Sequence, residues 1–392
     1  MPVDFDTVPN RRGTNCFKYD FAREMGMPED VLPLWVADMD FPTAPAVLER
    51  LHALAEHGIF GYTGVKDAYF SAVHNWYAQR FGWETQRSWL VTTPGVVFAI
   101  AIAIRAFTQK GDAILIQQPV YYPFADKVTE NDRQLVVNPL ILKNGRYEMD
   151  FADMERKIAD NHVKMLLLCS PHNPVGRVWT KEELLRVGEI CQKHGVLVVS
   201  DEIHADFTYA GHTHRVFASV KSEFADFTIT CTAPSKTFNL AGLQNSNIFI
   251  PNRQLRHAYK KELCACGCGG TNCMGMAACQ AAYEAGADWL EQLKQYLAGN
   301  LAYVRQFLRE KLPDIALIEP EGTYLVWLDL RKLGLTEQQQ RQLIVQDAKL
   351  WLDTGTLFGQ GGEGFERINI ACPRATIEQA MQRLERAVHK TR

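Results

Sequence analysis

Lys236 stands in the stretch Phe-Thr-Ile-Thr-Cys-Thr-Ala-Pro-Ser-Lys-Thr-Phe-Asn-Leu, residues 227–240. Phe227 to Cys231 has the apolar, β-branched pattern of a buried strand, and the run ends in small hydroxyl residues and Pro234. A lysine at a strand end is usually a solvated amine. One enclosed by Ser235, Thr237 and Phe238 is instead placed to be tuned. Burial disfavours the ammonium and lowers its pKa towards the range where the neutral amine is a nucleophile, able to form an imine with a carbonyl compound.

An imine-forming lysine suggests pyridoxal phosphate, and that cofactor makes definite demands. Its pyridine nitrogen needs a carboxylate, its ring oxygen a donor, its phosphate N–H and O–H groups, and its ring face an aromatic. Asp201, Asn173, the turn at Gly95 and Tyr121 are candidates for these tasks in turn. Each has an ordinary reading as well. Asp201 could cap a helix, Asn173-Pro174 could be a plain turn, Tyr121 a core aromatic, and Pro94-Gly95 the start of a core helix. Their joint appearance, each just after a predicted strand, is more specific than any one of them.

The elements that must position these residues alternate. Strands are predicted at Trp89–Thr92, Ala113–Gln117, Gln134–Leu140, Val163–Cys169, Val196–Ser200, Phe227–Cys231 and Asn247–Ile250. Helical patterns lie among them, at Val96–Phe107, Asp150–Asp160 and Lys181–His194. This is α/β material: a mostly parallel sheet covered by helices on both faces, with ligands bound beyond the carboxyl ends of the strands. The expected division is an N-terminal arm over residues 1–45, a large domain over 46–285 and a smaller α+β domain over 286–392. Helix is expected from Arg256 to Leu312 with a break at Gly286, and again from Glu337 to Leu350.

Bulk properties bound the function. The chain has 392 residues, 47% hydrophobic and 22% charged, enough for about two domains with substantial cores. A formal net charge of −3 gives no electrostatic reason to expect nucleic acid or an anionic membrane as partner. Met-Pro-Val-Asp-Phe-Asp at the start lacks the pattern of a secretory signal, and the longest apolar run, Val96–Ile104, is too short to span a bilayer. Ten irregularly placed cysteines suit free thiols in a reducing cytoplasm. Four of them fall between Cys264 and Cys273, but the first three are separated by single residues and no histidine follows nearby, so no metal site is expected.

The order Tyr121, Ser-Pro-His-Asn-Pro-Val-Gly (170–176), Ser-Asp-Glu-Ile-His (200–204), Ser-Lys-Thr-Phe-Asn (235–239) and Arg367 resembles the fold-type I pyridoxal phosphate enzymes. Within them the chain resembles the MalY/PatB group of cystathionine β-lyases, or cysteine-S-conjugate β-lyases. The resemblance runs from about residue 3 to 390 and rests on Arg-Gly-Thr-Asn (12–15), Ala-Asp-Met-Asp-Phe (37–41), Gly-Ile-Phe-Gly-Tyr (58–62) and Arg-Ile-Asn-Ile-Ala-Cys-Pro-Arg (367–374). It implies that Lys236 holds the cofactor and, once displaced by substrate, shuttles the Cα proton. Asp201 pairs with the pyridinium nitrogen, Asn173 bonds the ring oxygen and Tyr121 stacks on the ring. The backbone of Gly95, Val96 and Val97 cradles the phosphate, which Tyr62 reaches from the neighbouring subunit of a homodimer. His204, Thr232 and Ser235 lie around the cofactor, and Arg367, with Asn173 and Asp38, faces the substrate.

Three positions depart from the broader aminotransferase pattern: Ala233 where serine is frequent, Gln244 where a phosphate-binding arginine is frequent, and His204 where an aromatic is common. They favour α,β-elimination, which yields a thiol, pyruvate and ammonia from a thioether amino acid such as cystathionine. An aminotransferase of the same fold is the first alternative, and a cofactor-binding regulatory protein the second.

Overall fold

Seven short apolar runs pair into one sheet in the computed structural model, which describes residues 3–390. The outermost residues of the expected arm and small domain, 1–2 and 391–392, lie outside it. Numbered in chain order, the strands are β1 (Leu90–Thr93), β2 (Ala113–Ile116), β3 (Gln134–Val137), β4 (Met165–Cys169), β5 (Leu197–Asp201), β6 (Thr228–Thr232) and β7 (Ser246–Phe249). Their spatial order is β1-β7-β6-β5-β4-β2-β3. Neighbours are parallel except β7, which is antiparallel to both β1 and β6. β2 and β4 are buried throughout, as their unbroken apolar sequences require. Alternate residues feed two cores: Leu166 and Leu168 of β4 face one, Met165 and Leu167 the other.

A second, antiparallel sheet holds β8 (Ala316–Ile318), β9 (Leu325–Asp329), β10 (Asp353–Thr354) and β11 (Phe365–Asn369) in the order β8-β9-β11-β10. Helices Ala287–Lys311 and Arg374–Lys390 accompany it.

The N-terminal stretch, expected to be irregular, forms a helical turn at Phe17–Asp20 and a two-residue strand, Leu32–Pro33, parallel to Leu350–Trp351. From Leu34 onward it is fastened along the second sheet. Leu34 N–H donates to the Trp351 carbonyl at 2.8 Å, and Asn369 N–H returns to the Leu34 carbonyl at 2.9 Å.

Two helical expectations need correction. The region after Arg256 contains a further break, so that helices run Arg253–Ala265, Cys273–Ala285 and Ala287–Lys311. The break holds Gly267 at φ 78°, and Asn272 caps the next helix by accepting from Gly275 N–H at 2.6 Å. The segment from Glu337 is α-helical only to Arg341. It widens to a π-helix over Gln342–Asp347 and then gives way to the strand Leu350–Trp351.

Candidate active site

Lys236 lies in a single helical turn, Pro234–Thr237, entered directly from β6, with proline at the start where its missing N–H costs no bond. Its Nζ donates to the Ala37 carbonyl at 2.7 Å. Burial pulls its pKa down to about 8, against the opposing pull of Asp38 and Asp201. The Tyr324 hydroxyl donates to the same carbonyl at 3.1 Å.

Asn239, three residues beyond the lysine, explains why Ala37 is there. It adopts the left-handed conformation, φ 58°. Its side-chain oxygen accepts from Met39 N–H, and its amide donates to the Met39 and Phe41 carbonyls, all at 2.9 Å. On the other side the Asn369 amide donates to the Val36 and Asp38 carbonyls at 2.7 and 2.6 Å. Ala-Asp-Met-Asp-Phe is thus clamped between the lysine turn and β11.

Asp201 ends β5 and is 5% exposed. Ile203 N–H donates to it at 3.1 Å, and it has no salt bridge among the described residues. Burial pushes its pKa up to about 7, only partly offset by that N–H and by Lys236. In register it sits between Cys169 of β4 and Cys231 of β6. A buried carboxyl without a paired cation fits a pyridinium nitrogen.

At the other end of the site, Gly95 caps the helix Val96–Phe107, whose first-turn N–H groups have no carbonyl ahead of them. A Cβ placed on Gly95 would meet no atom within 4 Å. This open helix N-terminus suits a phosphate.

Arg367 projects from β11 and is 2% exposed. It donates to the Asn173 side-chain oxygen at 3.0 Å and the Trp35 carbonyl at 2.7 Å, and it pairs with Asp353. Its Nε has no partner among the described residues, an orphan buried donor. Tyr121 is partly buried, with its N–H on the Asn173 carbonyl at 3.0 Å; burial raises its phenol pKa. His204 is buried with an unpartnered Nδ1. Burial first, then the charges of Lys236 and Arg367, hold it down at about 3, so it is neutral.

Lys236, Asp201, Asn173, Tyr121 and His204 line one cavity of about 400 Å³. Gly95, Val96, Val97 and Ser235 complete the set of expected residues found there. Others lie elsewhere. Arg367 stands behind Asn173. Thr232 is a correction: its hydroxyl donates to the Asn247 carbonyl at 2.7 Å, fully buried between β6 and β7, and is not available to a ligand. Asp38 is a second correction: its carboxylate is engaged by Arg11 at 2.5 Å and Lys18 at 3.5 Å, and only its neighbour Ala37 lines the cavity. Tyr62 is fully exposed, on a loop outside the cavity. Ala37, Cys169 and Asn245 also line it but escaped the sequence reading. Ala37 acts through a backbone carbonyl, which no residue type announces, and Asn245 simply follows Gln244.

A tuned lysine, a buried carboxyl and an open helix N-terminus around one cavity, at the ends of strands in this sheet order, define a fold-type I pyridoxal phosphate enzyme. The family model for aminotransferase class I and II matches residues 29–384, and the chain belongs to that family. Within it the chain belongs to the MalY/PatB group. It is 43% identical to cystathionine beta-lyase PatB of Bacillus subtilis strain 168, over 98% of this chain and 100% of that protein. It is 32% identical to protein MalY of Escherichia coli K12, over 99% and 100%. The structure of cystalysin from Treponema denticola, which contains pyridoxal 5'-phosphate, matches with a TM-score of 0.97 at 38% identity over 100% of both chains. Among the described residues no helix is long and apolar enough to cross a membrane, and no group of three His, Cys, Asp or Glu side chains could hold a metal ion.

Proposed function

We propose that this chain is a pyridoxal phosphate-dependent carbon–sulfur β-lyase, cleaving cystathionine or related cysteine S-conjugates to a thiol, pyruvate and ammonia. The observation that carries the reading is the pair of oppositely tuned groups facing one cavity, Lys236 held near 8 and Asp201 near 7. Bound pyridoxal phosphate supplies an electron sink for the negative charge that develops at the substrate Cα. The residues then divide the work. Lys236, already partly neutral near pH 8, takes the proton from Cα, and the Ala37 carbonyl fixes where its Nζ points. Asp201 provides the counter-charge for a pyridinium. At about 4 Å and an effective dielectric of about 20 such a pair is worth about 4 kcal/mol, roughly a thousandfold in rate. Arg367, oriented by Asp353 and Asn173, is the group for the substrate carboxylate. Val96 and Val97 N–H and the Ser235 hydroxyl would hold the phosphate.

Tyr62 belongs to this reading through a second copy of the chain. Its loop exposes Ile59 at 67% and Phe60 at 60%, apolar surface that a homodimer would cover while bringing Tyr62 to the partner's phosphate. We take residues 1–45 as an arm joined to a small domain at 286–392, with 46–285 as the large domain. Ten free cysteines suit a reducing cytoplasm.

The test is to incubate the reconstituted protein with L-cystathionine and no keto acid. Pyruvate, ammonia and homocysteine in equal amounts are expected. Turnover only when a keto-acid acceptor is added would make the protein an aminotransferase instead.

A further inference from the structure

Lys236 sits on a helical turn too short to hold itself. Pro234–Thr237 is four residues long, and a helix of that length has no stability of its own in water. Its local bonds are Phe238 N–H to the Pro234 carbonyl at 2.9 Å and Leu240 N–H to the Ser235 carbonyl at 3.0 Å. Its place in the molecule is set by tertiary contacts. Asn239 supplies one set, to the arm. A second grips the two residues that follow the lysine directly.

Thr237 is 1% exposed, and its hydroxyl donates to Asp206 at 2.7 Å. Asp206 is itself buried. Trp76 Nε1 donates to the same oxygen at 3.4 Å, and the Arg80 guanidinium pairs with the other, Nε to Oδ1 at 2.9 Å. Trp76 and Arg80 are neighbours on one face of the helix Asp67–Phe81. Arg80 lies over the Trp76 indole, 4.7 Å from its centroid, and also reaches Glu291 at 2.7 Å. Phe238 packs its ring edge against the same indole, centroids 5.4 Å apart at 61°. Gly286 approaches that ring so closely that a Cβ there would meet it at 2.3 Å.

Asp206 also ends the tight stretch that begins at Asp201. Ala205 N–H donates to the Glu202 carbonyl and Phe207 N–H to the His204 carbonyl, both at 3.0 Å. The acid for the pyridine nitrogen and the acceptor for Thr237 are thus fixed on one folded segment.

We propose that Asp206 is a positioning residue of the reaction: through the Thr237 hydroxyl it sets the backbone from which Lys236 reaches both the cofactor and the substrate Cα. The lysine side chain is long and flexible, and its Nζ has to serve two places in turn. A fixed Cα is what makes both reachable in productive geometry. The inference rests on the reading of Lys236 as the cofactor lysine and applies to a lyase and an aminotransferase alike.

The experiment uses Thr237→Val, which keeps the branched shape and deletes the donor, and Thr237→Ser, which keeps the donor. It adds Asp206→Ala, in which Arg80 still has Glu291, and the Asp206→Ala/Thr237→Val pair. The first readout is the rate at which cofactor-free protein captures pyridoxal phosphate, followed by visible absorption. Thr237→Val and Asp206→Ala are each expected to slow capture about tenfold, the loss of one charge-assisted hydrogen bond, and Thr237→Ser to recover most of it. The pair should be no slower than either alone, because both substitutions delete the same link. The second readout is turnover of L-cystathionine by the loaded enzyme: kcat should fall about tenfold with KM within about twofold, since the Arg367 site is untouched. Unchanged capture in both single variants, losses that multiply in the pair, or a KM that rises while kcat holds would overturn the proposal. Lys236→Ala tests the reading beneath it: a wild-type visible band in that variant would remove the lysine assignment and the positioning role with it. The expected capture pattern in an enzyme that releases no thiol would refute the lyase reading and keep the role of Asp206.

Discussion

Two regions meet at Lys236, and they are built in opposite ways. The sheet side is regular: β4, β5 and β6 are parallel and paired by backbone, and their register alone sets Cys169, Asp201 and Cys231 in a row. The arm side, Leu34 to Phe41, is mostly without regular secondary structure and is held by the side chains of Asn239, Asn369, Arg367 and Tyr324. A sheet distributes its support over many equivalent bonds. The arm concentrates it in a few residues, so the two halves of the site should fail differently.

The largest effect is expected on the sheet side without loss of fold. Asp201→Ala should lower kcat about a thousandfold while the melting temperature stays near wild type, because the strand pairing is backbone. An active variant would remove Asp201 from the mechanism. On the arm side Asn239→Ala deletes three hydrogen bonds, each worth about 1 kcal/mol. A loss of about 3 kcal/mol in denaturant unfolding, together with reduced turnover, is expected. Asn239→Gly separates the lost bonds from the left-handed backbone, since glycine adopts φ 58° freely. If Gly restores stability, the clamp is unimportant.

A pH experiment sharpens the contrast in the cofactor-free protein. The folded pKa of Asp201, about 7, lies above its ordinary 3.8. Its contribution to stability is therefore present below about pH 4 and lost as pH rises through 7. Cofactor-free Asp201→Asn should be more stable than wild type at pH 8, by about 2 to 4 kcal/mol, with the gap closing near pH 4. A gap independent of pH would mean that the carboxyl is already neutralised. The smallest effect is expected at the loop: Tyr62→Phe should weaken cofactor binding about tenfold, the loss of one phosphate hydrogen bond, measured by fluorescence titration.

The same contrast governs what the sequence made legible. Strand-end positions of Asn173, Asp201 and Lys236 follow from apolar runs that stop, and those runs are one-dimensional signals. The antiparallel direction of β7 is not, because a buried strand reads the same either way. Thr232 shows why residue type is insufficient: its hydroxyl is of the right kind, but it is bound to Asn247 within the sheet. The arm's role rested on a resemblance of motif. Its physical basis, asparagine amides gripping backbone carbonyls about two hundred residues away in sequence, has no period to detect. The π-helix at Gln342–Asp347 was likewise invisible, since its apolar spacing is that of an ordinary helix.

The clamp on the arm also orders events during synthesis. Arg11, Lys18 and Tyr19 hold this stretch only to the arm itself; the side chains that fasten it to the rest of the molecule come later, at 239, 324, 367 and 369. Residues 34–41 therefore leave the ribosome well before the partners that fasten them, and wait for those partners before they find their place. Until Arg367 and Asn369 emerge, the stretch that carries the Ala37 carbonyl to Lys236 lacks one of its two sides of support.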